Sequence, residues 1–294
     1  MKKLNKNRKF KHNIAIIPGD GIGPEVILAS IKVINKALEL DNIYIKLKYY
    51  PWGSAYFKKY KKMMPSDGLD KLKMHDAIFF GAVGDKNIDD DITLWGLRLE
   101  ICQKLDQFAN VRPSKYMEGI KTPLNENLAK NIDWIIVREN SEGEYAGSGG
   151  IVHKGLPLEM GSELAIFTRE GCRRIHEYAF KLALKRPQKH LTLITKSNAQ
   201  RHGMKLWDKV FYEVSKKYPS IKTSKLLVDA ATAVMVNNPE KIDVVVATNL
   251  HADILSDLAS ALTGSLGIGA TANINTNKIA VSYTHLTLPT TPYV

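Results

Sequence analysis

Short apolar runs of strand length alternate with longer amphipathic stretches along most of this chain. That alternation restricts it to an α/β fold on a mostly parallel sheet. Residues 13–17 read as a first buried strand. Residues 24–39 follow with Val26, Ile27, Ala29, Ile31, Val33, Ile34 and Leu38 at helical spacing. Further strands are expected at 43–49, 76–80, 133–137, 191–195, 224–228 and 243–247. Three end in polar groups: Arg138 and Glu139, Lys196 and Asn198, and Asp229. Ligands of open parallel sheets bind beyond the carboxyl ends of the strands, so these residues fall where a site belongs. The glycine-rich stretch 142–150 is expected to begin an excursion from the main sheet.

The chain of 294 residues has room for one large or two modest domains, and its 44% hydrophobic and 24% charged residues suit a globular protein. No apolar run approaches the roughly 18 residues of a membrane span. The basic N-terminus lacks a secretory apolar stretch and reads as a solvated tail. Cys102 and Cys172 have no paired-motif spacing, which fits a reducing, cytoplasmic setting. The net charge of +12 raises nucleic acid as a partner, but the lysines are dispersed through KKYKK, KLALKRPQK and SKKYPSIK. The expectation is a solvated basic surface that attracts an anionic substrate, with neither nucleic acid nor membrane as partner.

Gly19-Asp20-Gly21-Ile22-Gly23-Pro24 joins the first strand to the first helix, a position suited to anion binding or simply to a tight turn. Its spacing matches neither the dinucleotide fingerprint nor a phosphate-binding P-loop. Asp253 and Asp257 stand four residues apart in HADILSDLASAL, on one helix face with Cβ atoms about 6 Å apart. A hard divalent cation with oxygen ligands would offset their repulsion; a solvated acidic face explains the spacing equally well. Asp229 is a third candidate ligand. Lys196, just past a strand, suits base work, and Tyr145 offers a phenol proton. Taken singly, a surface lysine and a structural tyrosine account for them too. Arg112 and Arg138 provide the planar forks a dicarboxylate requires, or surface ion pairs. The histidines show no metal spacing and are assigned no chemistry.

The string IAIIPGDGIGPEV resembles the opening of the isocitrate/isopropylmalate dehydrogenase family. The likeness continues through FFGAVGD, DQFANVRP, VRENSEGEYAG, TKSNAQRHG, LLVDA and ATNLHADILSDLASALTGSLGIG, covering residues 13–280 in the family's order. KMMP, DAIFFGAVGD and TLWG are most similar to its tartrate or D-malate dehydrogenase branch. The resemblance implies a two-domain isopropylmalate-dehydrogenase-like α/β fold, not a Rossmann fold. The first, nucleotide-side domain would comprise 1–108 plus 264–280, and the second, carrying the dimer interface, 109–263.

The implied activity is NAD- and divalent-metal-dependent oxidative decarboxylation of a small 2-hydroxy dicarboxylic acid, tartrate or D-malate. Asp229, Asp253 and Asp257 match the family's ligands for Mg²⁺ or Mn²⁺, and Tyr145 and Lys196 its acid–base pair. In the family the lysine and the Asp229 equivalent reach across from the partner subunit, which implies a homodimer with shared active sites. Arg112 and Arg138 match substrate clamps. The better-known members carry an arginine where this chain has Cys102, and Arg98, one helical turn earlier, is expected to substitute. Gly81, Ala82, Val83, Gly84 and Asn198 are the expected cofactor contacts. A 3-isopropylmalate dehydrogenase is the near alternative, and a catalytically silent regulatory or binding subunit the alternative of another class. Residues 281–294, VSYTHLTLPTTPYV, depart from the family and read as a non-native tail on a truncated frame. They are expected to be loosely placed, and the chain to bind NAD poorly and turn over little.

Overall fold

A computed structural model describes residues 12–41, 43–264, 269–275 and 280–283. The chain divides into two compact units, one running up to Leu105 and resuming at Ile274, the other spanning Asp106–Asn273. Among the described residues no helix is long and apolar enough to cross a membrane.

In the first unit, β1 (His12–Ile17) lies between β2 (Ile45–Tyr49) and β3 (Ala77–Phe80), both parallel to it. A strand from the far end of the chain, Ala280–Tyr283, pairs parallel with the other edge of β3. Side chains alternate across this sheet as period two requires. Ala15, Ile17, Ile78 and Phe80 pack with Trp52, Met63, Leu72, Leu97 and Ile101. Ile16 packs with Ile27 and Ile31 of helix α1 (Gly23–Leu40). The buried stripe of α1 is narrower than its apolar content: Val33, one of the apolar residues at helical spacing, is 69% exposed.

The glycine loop is a packing device. Gly19 has φ +72°, and a Cβ there would lie 2.0 Å from the Ala82 carbonyl oxygen, so only glycine fits. The Asp20 amide donates to that carbonyl at 2.7 Å. The Asp20 carboxylate accepts from the Ser54 amide and hydroxyl and from the Gly84 amide, lashing the loops after β1 and β3 together.

The second unit is built on β4 (Ala109–Lys115), β5 (Asp133–Glu139), β8 (His190–Thr195), β9 (Lys222–Leu227), β10 (Val244–Ala247) and the first two residues of β11 (Ala272–Ile274), ordered β11-β4-β5-β10-β8-β9. The pairings from β5 through β10 and β8 to β9 are parallel; β4 runs antiparallel to β5. Strands β6 (Gly143–Val152) and β7 (Met160–Ile166) form a separate two-stranded antiparallel arm, the excursion expected from the glycine-rich stretch. Val244 and Val246 face helices α2 (Arg169–Ala183) and α3 (Gly203–Ser215) through Ile175, Phe180, Trp207 and Phe211. Val245 and Ala247 face α4 (Val228–Asn237) and α5 (Asn249–Leu262) through Ala231, Met235, Leu255 and Ala259. A strand buried on both faces reads as an unbroken apolar run, as VVVA does.

The structure corrects several boundaries. Val228 opens α4 rather than ending β9, so Asp229 sits in a helical first turn, where a negative charge is favoured. Residues 269–273 belong with the second unit, not the first: the buried Asn110 amide donates to Thr271 at 2.8 Å and to Asn273 at 2.9 Å. Arg98 lies in a π-helical stretch, Leu94–Leu99, that leads into the short helix Glu100–Lys104 holding Cys102. Arg98 and Cys102 therefore sit in two different helical elements, one widened and one α-helical. Residues 281–283 continue a sheet strand beside β3, against the expectation of a loosely placed tail. The rest of that tail, 284–294, lies outside the described residues.

Candidate active site

The alternation that buries β5 also aims its last arginine. Trp134 and Ile136 point into the α5 side of the sheet, and Arg138, two residues on, continues the same face. Register pairs Asn110 with Arg138 and Arg112 with Ile136, so both arginines emerge on that face from neighbouring strands. Arg138 is fully buried and Arg112 nearly so. Buried guanidinium groups demand partners, and α5 provides them.

Asp253, one turn into α5, is the hub. Its Oδ1 pairs with Arg138 Nη1 and lies 3.3 Å from Arg112 Nη2; its Oδ2 accepts from the Tyr145 hydroxyl at 3.3 Å. Asp257, on the next turn and largely exposed, stands 3.6 Å from Arg112 Nη1. The Arg138 guanidinium lies 5.5 Å from the centre of the Tyr145 ring, within cation–π range. Thus Arg112, Arg138, Tyr145, Asp253 and Asp257, inferred from scattered motifs, converge on one cluster.

Supporting residues escaped the sequence reading. Asn249 Oδ1 accepts from both Arg138 Nε, at 2.8 Å, and Nη2, at 2.6 Å. Asn110 Oδ1 accepts from Arg112 Nε at 2.7 Å, and the Ser256 hydroxyl accepts from Arg112 Nη1. These neutral acceptors satisfy donors the carboxylates leave over and fix each fork in its plane. Asparagine at a helix start and serine within a helix are too common for sequence alone to mark them.

Lys196 and Asp229 form a second group. Lys196 Nζ donates to Asp229 Oδ1 at 2.6 Å, and this ammonium holds the exposed Asp229 carboxyl below its usual value. Asn198 lies exposed in the turn beyond Lys196. That turn is anchored from below: the Ser197 hydroxyl donates to Asp208 at 2.7 Å, and Lys225 donates to the same carboxylate. His251, buried in the first turn of α5, is pushed down in pKa by burial, with Glu144 opposing and Lys196 reinforcing the shift. Among the described residues no three His, Cys, Asp or Glu side chains form a metal-holding group, so Asp229 does not join Asp253 and Asp257 within one chain.

Two carboxylates one turn apart form a donor set that suits a hard divalent cation, and their present partners, guanidinium groups and a phenol, are the cationic and donor groups such a pair attracts. In the first unit, Gly81 is buried and Gly84 is open on its Cα side, where a Cβ would meet no atom within 4 Å. The Gly81 amide is bonded to Ile17 and the Gly84 amide to Asp20. A nucleotide lying on this turn would therefore meet surface and carbonyl groups rather than those two amides.

An α/β fold with paired helix-borne aspartates, a buried arginine pair and a tyrosine at one cluster suits an enzyme of an anionic substrate, and comparison gives its family. Residues 13–288 match the isocitrate/isopropylmalate dehydrogenase family, and the chain belongs to it. It is 58% identical over 270 residues to a protein of Agrobacterium vitis named "Probable tartrate dehydrogenase/decarboxylase", covering 91% of this chain and 75% of that one. It is 43% identical over 267 residues to the D-malate dehydrogenase [decarboxylating] of Escherichia coli K12, covering 90% and 74% respectively. The crystal structure of isocitrate dehydrogenase from Methylococcus capsulatus superposes with a TM-score of 0.81 at 33% identity, covering 93% of this chain and 77% of that one. The family match runs to residue 288, eight residues past 280, the last position expected to track the family.

Proposed function

We propose that this chain is a cytoplasmic, NAD-linked, divalent-metal-dependent dehydrogenase that oxidatively decarboxylates tartrate or D-malate, working as a homodimer with shared active sites. The observation that carries the reading is the meeting of Arg112, Arg138 and Tyr145 at Asp253. The names of the Agrobacterium and E. coli relatives favour these two acids among 2-hydroxy dicarboxylates.

Arg112 and Arg138 bind the substrate carboxylates through their forks and orient C2. Lys196, kept beside Asp229 and acting as the neutral amine, accepts the C2 hydroxyl proton, and a bound NAD would take up the C2 hydride. The carboxylate on C3 then departs as carbon dioxide, and its bonding pair forms the C2–C3 double bond as the carbonyl pair moves to the C2 oxygen, leaving an enolate. Tyr145 gives a proton to C3, completing the 2-keto acid. A Mg²⁺ or Mn²⁺ ion held by Asp253 and Asp257, with Asp229 from the partner subunit, would polarise the C2 oxygen. Gly81, Ala82, Val83, Gly84 and Asn198 are the proposed nucleotide contacts, and Arg98 the residue that senses the C3 substituent.

The arm supports the dimer. Leu156, Leu158, Met160 and Leu164 are each more than half exposed in and around β6 and β7. So many exposed apolar side chains on one hairpin call for a partner. A panel of tartrate, D-malate and 3-isopropylmalate, each assayed with NAD and with NADP in Mn²⁺, tests the reading. Turnover of tartrate or D-malate with NAD, even slow, supports it, and turnover of 3-isopropylmalate alone reassigns the substrate.

A further inference from the structure

Glu144 precedes the catalytic tyrosine and makes an unusual attachment. Its Oε1 accepts from the Thr248 hydroxyl at 2.9 Å, and its Oε2 accepts from the Leu250 amide at 3.1 Å. Thr248 is the N-cap of α5, yet its side chain makes no cap to its own helix. An N-cap threonine ordinarily accepts from an amide of the first turn. Here its hydroxyl is turned to donate, and a carboxylate from β6 takes over the amide, where the helix end favours negative charge.

A second thread runs beside the first. Asn249 donates to the Glu142 carbonyl at 3.3 Å while its oxygen holds Arg138. The first turn of α5 therefore grips the chain at residues 142 and 144. One turn further along, the same helix presents Asp253 to the Tyr145 hydroxyl. Tyr145 follows Glu144 directly, so the clamp at Glu144 sets where the phenol stands relative to Asp253.

We propose that Glu144 is a positioning residue for proton delivery: by capping α5 from strand β6, it fixes the Tyr145 phenol against the face of α5 that carries Asp253. The proposal rests on the reading of Tyr145 as the acid of the decarboxylation. Because the clamp uses acceptor oxygens, glutamine preserves one of its bonds and can keep the other through the threonine hydroxyl, whereas alanine removes both.

The test compares Glu144→Ala and Glu144→Gln in the full chain, with fluorotyrosine placed at position 145 and its fluorine NMR resonance recorded. The resonance should move in Glu144→Ala and stay near its original position in Glu144→Gln; an unmoved resonance in Glu144→Ala overturns the proposal. This readout needs no turnover, so a resonance that moves in a chain without dehydrogenase activity upholds the clamp while rejecting the functional reading. With D-malate or tartrate, Glu144→Ala should lose on the order of 100-fold in kcat with little change in KM, the scale of an ångström's misplacement, and Glu144→Gln should recover most of it. In a Tyr145→Phe background the alanine should add almost nothing further. An equal loss in both backgrounds overturns the proposal, since Glu144 would then act through something other than the phenol.

Discussion

Arg138, fully buried at the end of β5, and Asp253, one turn into α5, form an ion pair in the second unit. Asp253 is shared: the oxygen that pairs with Arg138 also faces Arg112. A residue expected only to hold metal is also the counter-charge of two buried cations, and this gives it a structural cost when changed.

Asp253→Asn should abolish metal-dependent turnover and also destabilise the metal-free chain by about 1–3 kcal/mol, because a charge-assisted partner of a buried arginine is weakened. Thermal unfolding with chelator, together with Mn²⁺ titration, checks both effects. A variant as stable as the parent would show that Asn249 and Asn110 satisfy the arginines unaided.

Asn249→Ala should misorient Arg138 by removing the oxygen that accepts from both Nε and Nη2. The expected result is a raised KM for the dicarboxylate and a stability loss of about 1–3 kcal/mol from unsatisfied buried donors. Steady-state kinetics and a denaturant melt measure these; an unchanged KM would mean that Arg138 does not touch substrate.

How far the sequence revealed this arrangement differs residue by residue. The parallel sheet was legible because strands such as VVVA carry an unbroken apolar signal, and Arg112, Arg138, Tyr145 and Asp253 because they sit in recognisable motifs. The π-helical turn around Arg98 was not legible, since apolar spacing reports 3.6-residue periodicity and cannot register one widened turn. Asp229 was placed after a strand because LLV has strand-like composition; the helix begins one residue earlier, at the last residue of that apolar run. The roles of Asn249, Asn110 and Glu144 depend on contacts between segments far apart in sequence, which no local pattern encodes.

Two buried groups should shape stability against pH in opposite senses. Burial lowers His176 from 6.5 to about 3, with its ring packed against Trp207. Its folded pKa is depressed, so its contribution is present above 6.5 and is lost as pH falls toward 3. Burial raises Glu139 from 4.5 to about 7, against hydrogen bonds from Ser141 and Glu142 that favour the charged form. Its contribution is present below 4.5 and is lost as pH rises through about 7. Glu139→Gln should therefore gain stability relative to the parent at about pH 8 compared with about pH 5, and His176→Phe should flatten the acid side. Denaturant melts across pH read both, and parallel profiles for parent and variants would refute the assignment.

Tyr145→Phe and Lys196→Met should fail at different steps. The phenylalanine variant should still form NADH in a first turnover and stall at protonation of C3, whereas the methionine variant should fail to transfer hydride. Single-turnover absorbance separates them. Identical progress curves would show that the division of labour between the two residues is wrong.

The proposed reaction couples oxidation to decarboxylation and depends on a divalent metal. It is tested most directly by counting NADH and carbon dioxide formed from D-malate or tartrate, with Mn²⁺ and then with chelator. Equal amounts of both products with Mn²⁺, and neither with chelator, is the predicted result. NADH without carbon dioxide, or undiminished turnover in chelator, would contradict it.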